Sequence, residues 1–217
     1  NLITCDHQVV LARHWKQRVC GDLFLRQDTR SASTLMLADG QGKGVEAHLW
    51  GSFFVQRLSL TLKRGFSLRH AIRQLVREDD SHCQDPQTAF HLVRILSDGR
   101  TSVISRNMPP ALYWPHRKAP TPLLQTPMAE QPDLREGFLI LEPHDRLLCC
   151  SDGAVQACKN RSQPEGWGID GICGYLKNRN GSFPAARALV AHLYGHSQGK
   201  LGDDTSCLDL QARIRSD

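Results

Sequence analysis

The 217-residue sequence predicts an antiparallel α+β layer fold. Three observations carry the prediction. Two adjacent long segments repeat apolar residues at the helical period, while most other apolar runs have strand length. Helices do not alternate singly with strands, which argues against a doubly wound parallel sheet. An Asp98-Gly99 pair separates two apolar runs, the signature of a tight hairpin.

The elements follow in chain order. Residues 8–14 and 23–38 read as strands, the second interrupted by a polar turn from Gln27 to Ala32. From Lys43 to Arg64, Val45, Leu49 and Phe53 repeat at i, i+4 and i+8, and Phe54, Leu58 and Leu62 repeat on a neighbouring stripe. So wide an apolar face predicts a largely buried helix, with Gly65 as its stop. Ser67 can cap a second helix that turns Leu68, Ala71, Ile72, Leu75 and Val76 inward. Arg69, Arg73 and Arg77 form a basic stripe on this helix. It reads either as a solvated face or as a docking surface for an acidic or phosphorylated partner. Ala89–Leu96 and Thr101–Arg106 flank the Asp-Gly turn, and Ala111–Trp114 adds a third strand. Eight of the eleven prolines fall between Pro109 and Pro143. They predict a long surface loop rather than a linker, because strands at Phe138–Leu141 and Arg146–Cys150 resume directly after it. Helices are expected at Gly153–Lys159, Gly168–Lys177 and Pro184–Tyr194, and a last strand at Thr205–Arg213.

Composition bounds the function. Apolar residues make up 40 % and charged residues 23 %, which excludes a disordered tail, a collagen-like rod and a disulfide mini-protein. No stretch approaches the ~18 apolar residues of a membrane span, so no membrane partner is expected for this segment. The net charge of +5 favours acidic or phosphorylated partners. With only 6 % aromatics for base stacking, nucleic acid is not expected. Eight cysteines without a C-x-x-C pair read as reduced core thiols of a cytoplasmic protein, Cys149 and Cys150 as small buried hydrophobes. The chain starts at Asn1 rather than Met, so a single domain, 1–217, cut from a longer protein is expected.

The chemistry lies in four Gly/Asp sites. In Thr34-Leu-Met-Leu-Ala-Asp39-Gly40-Gln-Gly42-Lys-Gly44 an apolar strand delivers a carboxylate into a glycine-rich turn that opens a helix. It is not a P-loop, which would need glycine at Leu37, nor a G-x-G-x-x-G turn, which would need it at Val45. Leu147-Leu-Cys-Cys-Ser-Asp152-Gly153 repeats the pattern. Gly202-Asp203-Asp204 precedes the last strand, and Cys20-Gly21-Asp22 precedes an early one. Aspartates converging from several strand ends, with no His or Cys among them, form a hard all-oxygen donor set suited to Mg²⁺ or Mn²⁺. Three or four carboxylates suggest a pair of ions bridged by one Asp.

In this order and spacing the four motifs resemble those of the metal-dependent protein phosphatases of the PPM family, most closely the bacterial SpoIIE-like branch. The resemblance implies a β-sandwich flanked by helices in α-β-β-α layers. It implies two ions, Mn²⁺ or Mg²⁺, with Asp39 bridging, the Gly40 carbonyl beside it, and Asp152 and Asp203 on the other ion. Asp22 matches the N-terminal Asp that often acts through water. The implied reaction is dephosphorylation of phosphoserine or phosphothreonine. The two cations lower the pKa of a bridging water, and the resulting hydroxide attacks phosphorus in line without a protein nucleophile. Asn107-Met-Pro109-Pro110 matches a short loop of this branch, in a form lacking the Ala-Gly-His of many members. Arg18 or Lys16 would reach the substrate phosphate on one reading and is a solvated charge on the other. The implied partner is a phosphorylated regulatory protein, of anti-sigma antagonist type, in a partner-switching circuit. An upstream sensor or regulatory domain and a homodimer are left open. The alternative function is a catalytically silent relative that binds phosphoprotein without turnover.

Overall fold

The computed structural model describes residues 2–40, 42–82, 88–157, 166–178 and 184–214. Among them, eleven strands form two sheets in which every pairing is antiparallel. The first sheet has the order β1 (Ile3–Ala12), β11 (Thr205–Ile214), β10 (Arg146–Cys150), β6 (Leu112–Trp114), β7 (Thr121–Pro122). The second has the order β2 (Asp22–Asp28), β3 (Ala32–Asp39), β4 (Ala89–Leu96), β5 (Arg100–Arg106), β9 (Gln131–Ile140), β8 (Thr126–Met128).

Strand alternation builds the layers. In β3 and β4, Leu35, Leu37, Val93 and Ile95 turn toward the other sheet and meet Leu147, Cys149, Leu208 and Leu210. The residues between them, Met36, Ala38, Phe90 and Leu92, turn outward under α1 (Val45–Lys63) and α2 (Leu68–His82). Both faces of these strands are therefore apolar, which is why Leu35–Ala38 is an unbroken apolar run. The outer face of the first sheet is covered by α3 (Asp152–Gln156), α4 (Gly168–Lys177) and α5 (Ala186–His196), with Leu148, Ile172, Leu176, Leu189 and Leu193 in the shared core. The result is the α-β-β-α sandwich.

Several expectations change. The strand at 111–114 does not extend the β4–β5 hairpin; it crosses to the other sheet and pairs with β10. The proline-rich stretch is not one long loop, since it contains β7, β8 and most of a ten-residue β9. Its prolines are tolerated where no ladder bond is needed. Pro122 and Pro127 lie in edge strands, the latter at a register shift, and Pro132 pairs in neither register of β9. The α1 helix is only half covered. Phe54 and Leu58 are buried, but Val45, Leu49 and Phe53, the latter 58 % exposed, face solvent. A helix lying on one sheet beside one other helix buries a single stripe, and the second apolar stripe is left over. The basic stripe of α2 is neither free nor fully solvated. Arg69 pairs with Glu136 at 2.5 Å, and Arg73 and Arg77 flank Glu130, so the stripe ties α2 to the β8–β9 edge.

The second helix begins as expected, with the His70 amide donating to Ser67 Oγ. The six described cysteines are free thiols, and Cys149 and Cys150 are buried; Cys83 and Cys158 lie outside the described residues, as does the expected end of the helix at Lys159.

Arg106 and His91 are among the polar groups committed to the core. Arg106 is fully buried at the end of β5 and is surrounded by Asp79 (3.0 Å), Asp80 (2.5 Å) and Asp133 (2.8 Å). Replacing it by Met leaves those carboxylates without their cation. Because Asp80 and Asp133 are partly exposed, the expected loss is at the low end of the range for breaking a buried pair, about 3 kcal/mol, read by urea denaturation. His91, fully buried between the sheets, faces Ser105 Oγ at 2.7 Å. Burial lowers its pKa to about 4, against a smaller upward pull from the Cys150 and Pro109 carbonyls. The folded chain thus binds this proton less readily than the unfolded chain. Stability from His91 is whole above about pH 6.5 and is lost as pH falls toward 4. The His91→Gln variant should show a flatter stability–pH curve than the wild type between pH 6.5 and 4 in denaturant titrations.

Candidate metal centre

The β2–β3 register places Asp22 directly opposite Asp39. Asp22 begins its strand and Asp39 ends its own, so both stand at one end of the sheet. The other two motifs stand at the matching end of the facing sheet. Ser151 follows β10 and donates its amide to the Ser206 carbonyl at 2.9 Å; Asp152 opens α3; Asp203 and Asp204 run into β11. Asp152 accepts a hydrogen bond from Gln156 Nε2 at 2.8 Å, one turn along α3. The short α3 is thus positioned by a strand end, and its first residue faces the site.

Gly40 shows how tightly the loop after Asp39 is held. A Cβ there would lie 1.9 Å from the Ala47 carbonyl of α1, so only glycine lets the helix approach this closely. Gly153 meets the same limit, with a Cβ position 2.0 Å from the Asp204 carbonyl.

The aspartate doublet divides its work. Asp204 is buried, and its two oxygens accept the amides of His14 (2.5 Å) and Gly21 (2.6 Å). Asp203 is exposed and close enough to Asp39 to act on its charge.

Electrostatics set this end apart. Asp22 is 1 % exposed, and neither of its oxygens closes a hydrogen bond, although the Ser206 and Ser151 hydroxyls are near enough to favour its charged form. Burial raises its pKa, with Asp204 adding to the rise. Asp39 is raised further, first by burial and then by the charges of Asp22, Asp152 and Asp203. Like charges gathered in a poorly solvated place need either a proton or a cation. The donors are all hard oxygens, as Mg²⁺ and Mn²⁺ prefer. Among the described residues no three His, Cys, Asp or Glu side chains already close around one point. Ions here would draw on water and on the Gly40 carbonyl as well as on carboxylates, which fits Mg²⁺ chemistry.

The remaining sequence candidates stand apart. Arg18 is exposed on the 13–21 segment leading into Asp22, and Lys16 is exposed with its ammonium over Trp15. Asn107 takes a left-handed conformation (φ 51°) just past β5. Since Arg106 pairs with Phe90, and Ala89 with Asp39, Asn107 lies two strands from Asp39, about 10 Å at ordinary strand spacing. The residues that sequence reasoning missed are Ser151 and Ser206, beside Asp22. Only the Ser-Asp pair at 151–152 offered a hint of the first.

A helix-flanked double sheet with acidic residues gathered at one end is the architecture of the PP2C phosphatases. The profile of the stage II sporulation protein E (SpoIIE) family matches residues 30–213, and the chain belongs to that family. It is similar in structure to the PP2C phosphatase domain with a regulatory fragment of SpoIIE from Bacillus subtilis: TM-score 0.82, 15 % identity, 100 % of this chain and 64 % of that one. The RsbU and RsbW domains of a Mycobacterium tuberculosis protein give 0.81 and 15 %, over 100 % of this chain and 63 % of that one. The chain thus spans less than two thirds of either structure. RsbX in complex with magnesium gives 0.64 and 12 %, over 96 % and 95 %. No curated protein matches the sequence.

With divalent metal chelated, Asp39→Asn should raise Tm by several degrees, because it removes a carboxyl group that must take up a proton to be buried among like charges. Added Mn²⁺ should raise the Tm of the wild type and leave that of the variant nearly unchanged.

Proposed function

We propose that the chain is a divalent-metal-dependent phosphatase of phosphoserine or phosphothreonine in a regulatory protein, acting in a partner-switching circuit. The observation that carries this reading is the gathering of Asp22, Asp39, Asp152 and Asp203 at one end of the sandwich, where burial and like charge raise the pKa of Asp39. Membership of the SpoIIE family and the magnesium-bound state of structurally similar RsbX support it.

Asp39 would bridge two ions, Mg²⁺ or Mn²⁺, with the Gly40 carbonyl on one, Asp152 and Asp203 on the other, and Asp22 acting through water. Bound there, two cations supply a water acidic enough to attack near neutral pH and offset charge on the phosphoryl oxygens. The chain does the rest by position. The β2–β3 register presents Asp22 and Asp39 together. Gln156 orients Asp152, and the packing of Gly40 on Ala47 fixes the loop that offers its carbonyl. Arg18, exposed just upstream of Asp22, is the candidate for steering the substrate phosphate. We place the whole described chain in a single catalytic domain of a longer, cytoplasmic protein.

Purified chain stripped of metal should hydrolyse p-nitrophenyl phosphate only after Mn²⁺ or Mg²⁺ is restored. Asp39→Asn and Asp152→Asn should each lower the rate by roughly 100-fold or more. A wild type that binds no Mn²⁺ by calorimetry would overturn the enzyme and favour the silent phosphoprotein-binding relative.

A further inference from the structure

At the far end of the five-stranded sheet lies a cavity of about 400 Å³ that the phosphatase reading does not use. β10 runs from this cavity, at Arg146, toward Asp152; six residues of extended chain separate the two ends by roughly 20 Å. Trp114 and Arg146 form the floor. His116, Arg117 and Lys118 from the segment after β6, His144 from the turn before β10, and Lys177 from the end of α4 form the walls. Among the described residues no carboxylate lines it.

The nearby acids are occupied behind the wall. Asp209 takes Arg146 Nη2 at 2.5 Å and the Ala185 amide at 2.6 Å. Asp145 takes the Tyr113 hydroxyl at 2.7 Å and the His116 amide at 2.8 Å. Elsewhere the stripe arginines 69, 73 and 77 and the buried Arg106 all have acidic partners, whereas Arg117, Lys118 and Lys177 form no ion pair among the described residues. Their charge is left facing one concave space.

The walls are also held in shape. Arg146 stacks 4.2 Å over the Trp114 ring, and Trp114 Nε1 donates to the Lys118 carbonyl at 2.8 Å, closing the 115–118 turn. Arg117 (φ 61°) and His144 (φ 74°) both take the left-handed conformation that non-glycine residues avoid. The cost is offset by bonds such as the His144 amide to the Ala212 carbonyl at 2.8 Å. Strain kept at the rim of a basic cavity is characteristic of a binding site.

We propose that this cavity binds a small polyphosphate anion at a site separate from the metal centre. Arginine and lysine converging without competing acids suit phosphate oxygens, Arg117 by a two-pronged contact and the lysines as point charges. The volume is at the small end of ligand pockets, which leaves ample room for a pyrophosphate-sized group with its water and little for a protein segment. The separation from Asp152 keeps a phosphoryl group bound here out of reach of the reaction.

Calorimetric titration with pyrophosphate, in chelator and at fixed ionic strength, tests this without the metal centre. One saturable site is expected, weakened by about tenfold or more in the Arg117→Glu, Lys177→Glu double variant. Both side chains are exposed, and an unchanged thermal melt would show that the variant is folded. No saturable binding by the wild type, equal binding by the folded variant, or equally tight binding of sulfate would each overturn the site. Failure here leaves the Mn²⁺-dependent activity untouched, and the reverse also holds.

Discussion

One buried carboxylate joins the two halves of the sandwich. Asp204, just before β11 in one sheet, accepts the amide of His14, which follows β1 of that sheet, and the amide of Gly21, which precedes β2 of the other. Charge-assisted bonds of this kind are about twice as strong as neutral ones. The crossing segment is thereby pinned at both ends, so β2 starts where Asp22 meets Asp39. The same residue's carbonyl accepts Ser151 Oγ and lies against Gly153, which sets the distance from the last strand to the start of α3. Asp203 is its chain neighbour, Asp22 and Asp152 each follow a residue that bonds to it, and Asp39 faces Asp22 across the ladder.

The chain treats buried charge in two opposite ways. Arg106 has three carboxylates around it, and Arg146 and Asp209 satisfy each other in the core. These clusters are closed by their own counter-ions. At the candidate metal centre burial raises the pKa of Asp22, with Asp204 adding to the rise, and raises that of Asp39, with the charges of Asp22, Asp152 and Asp203 adding to it. A fold that neutralises charge elsewhere and gathers like charge here has given up stability at one place, as functional sites do.

Local chemistry was legible in the sequence and long-range pairing was not. The inward face of α2 and the Asp-Gly hairpin follow from period and turn chemistry, and both appear in the structure. The four Asp motifs were visible because each joins an apolar strand to a glycine. That Asp204 would be spent on amides while Asp203 stays exposed depends on a contact 190 residues away, which no local pattern encodes. The same holds for Leu112–Trp114, whose three residues fit either sheet until β10 is placed beside them. In α1 two apolar stripes of equal strength gave no means of telling which would meet the sheet. Arg106 was invisible as a core residue because its partners come from α2 and β9.

The β2–β3 turn has a wider consequence. Thr29 and Ala32 close it through reciprocal bonds, and the strands leave it in strict register as far as Asp22 and Asp39. Substitution within the turn alters one contact. Deletion of a single residue there would shift one strand by a step and exchange its inward and outward faces along its whole length. The segment can therefore drift in spelling but not in length: its reading frame in space is as unforgiving as a codon's.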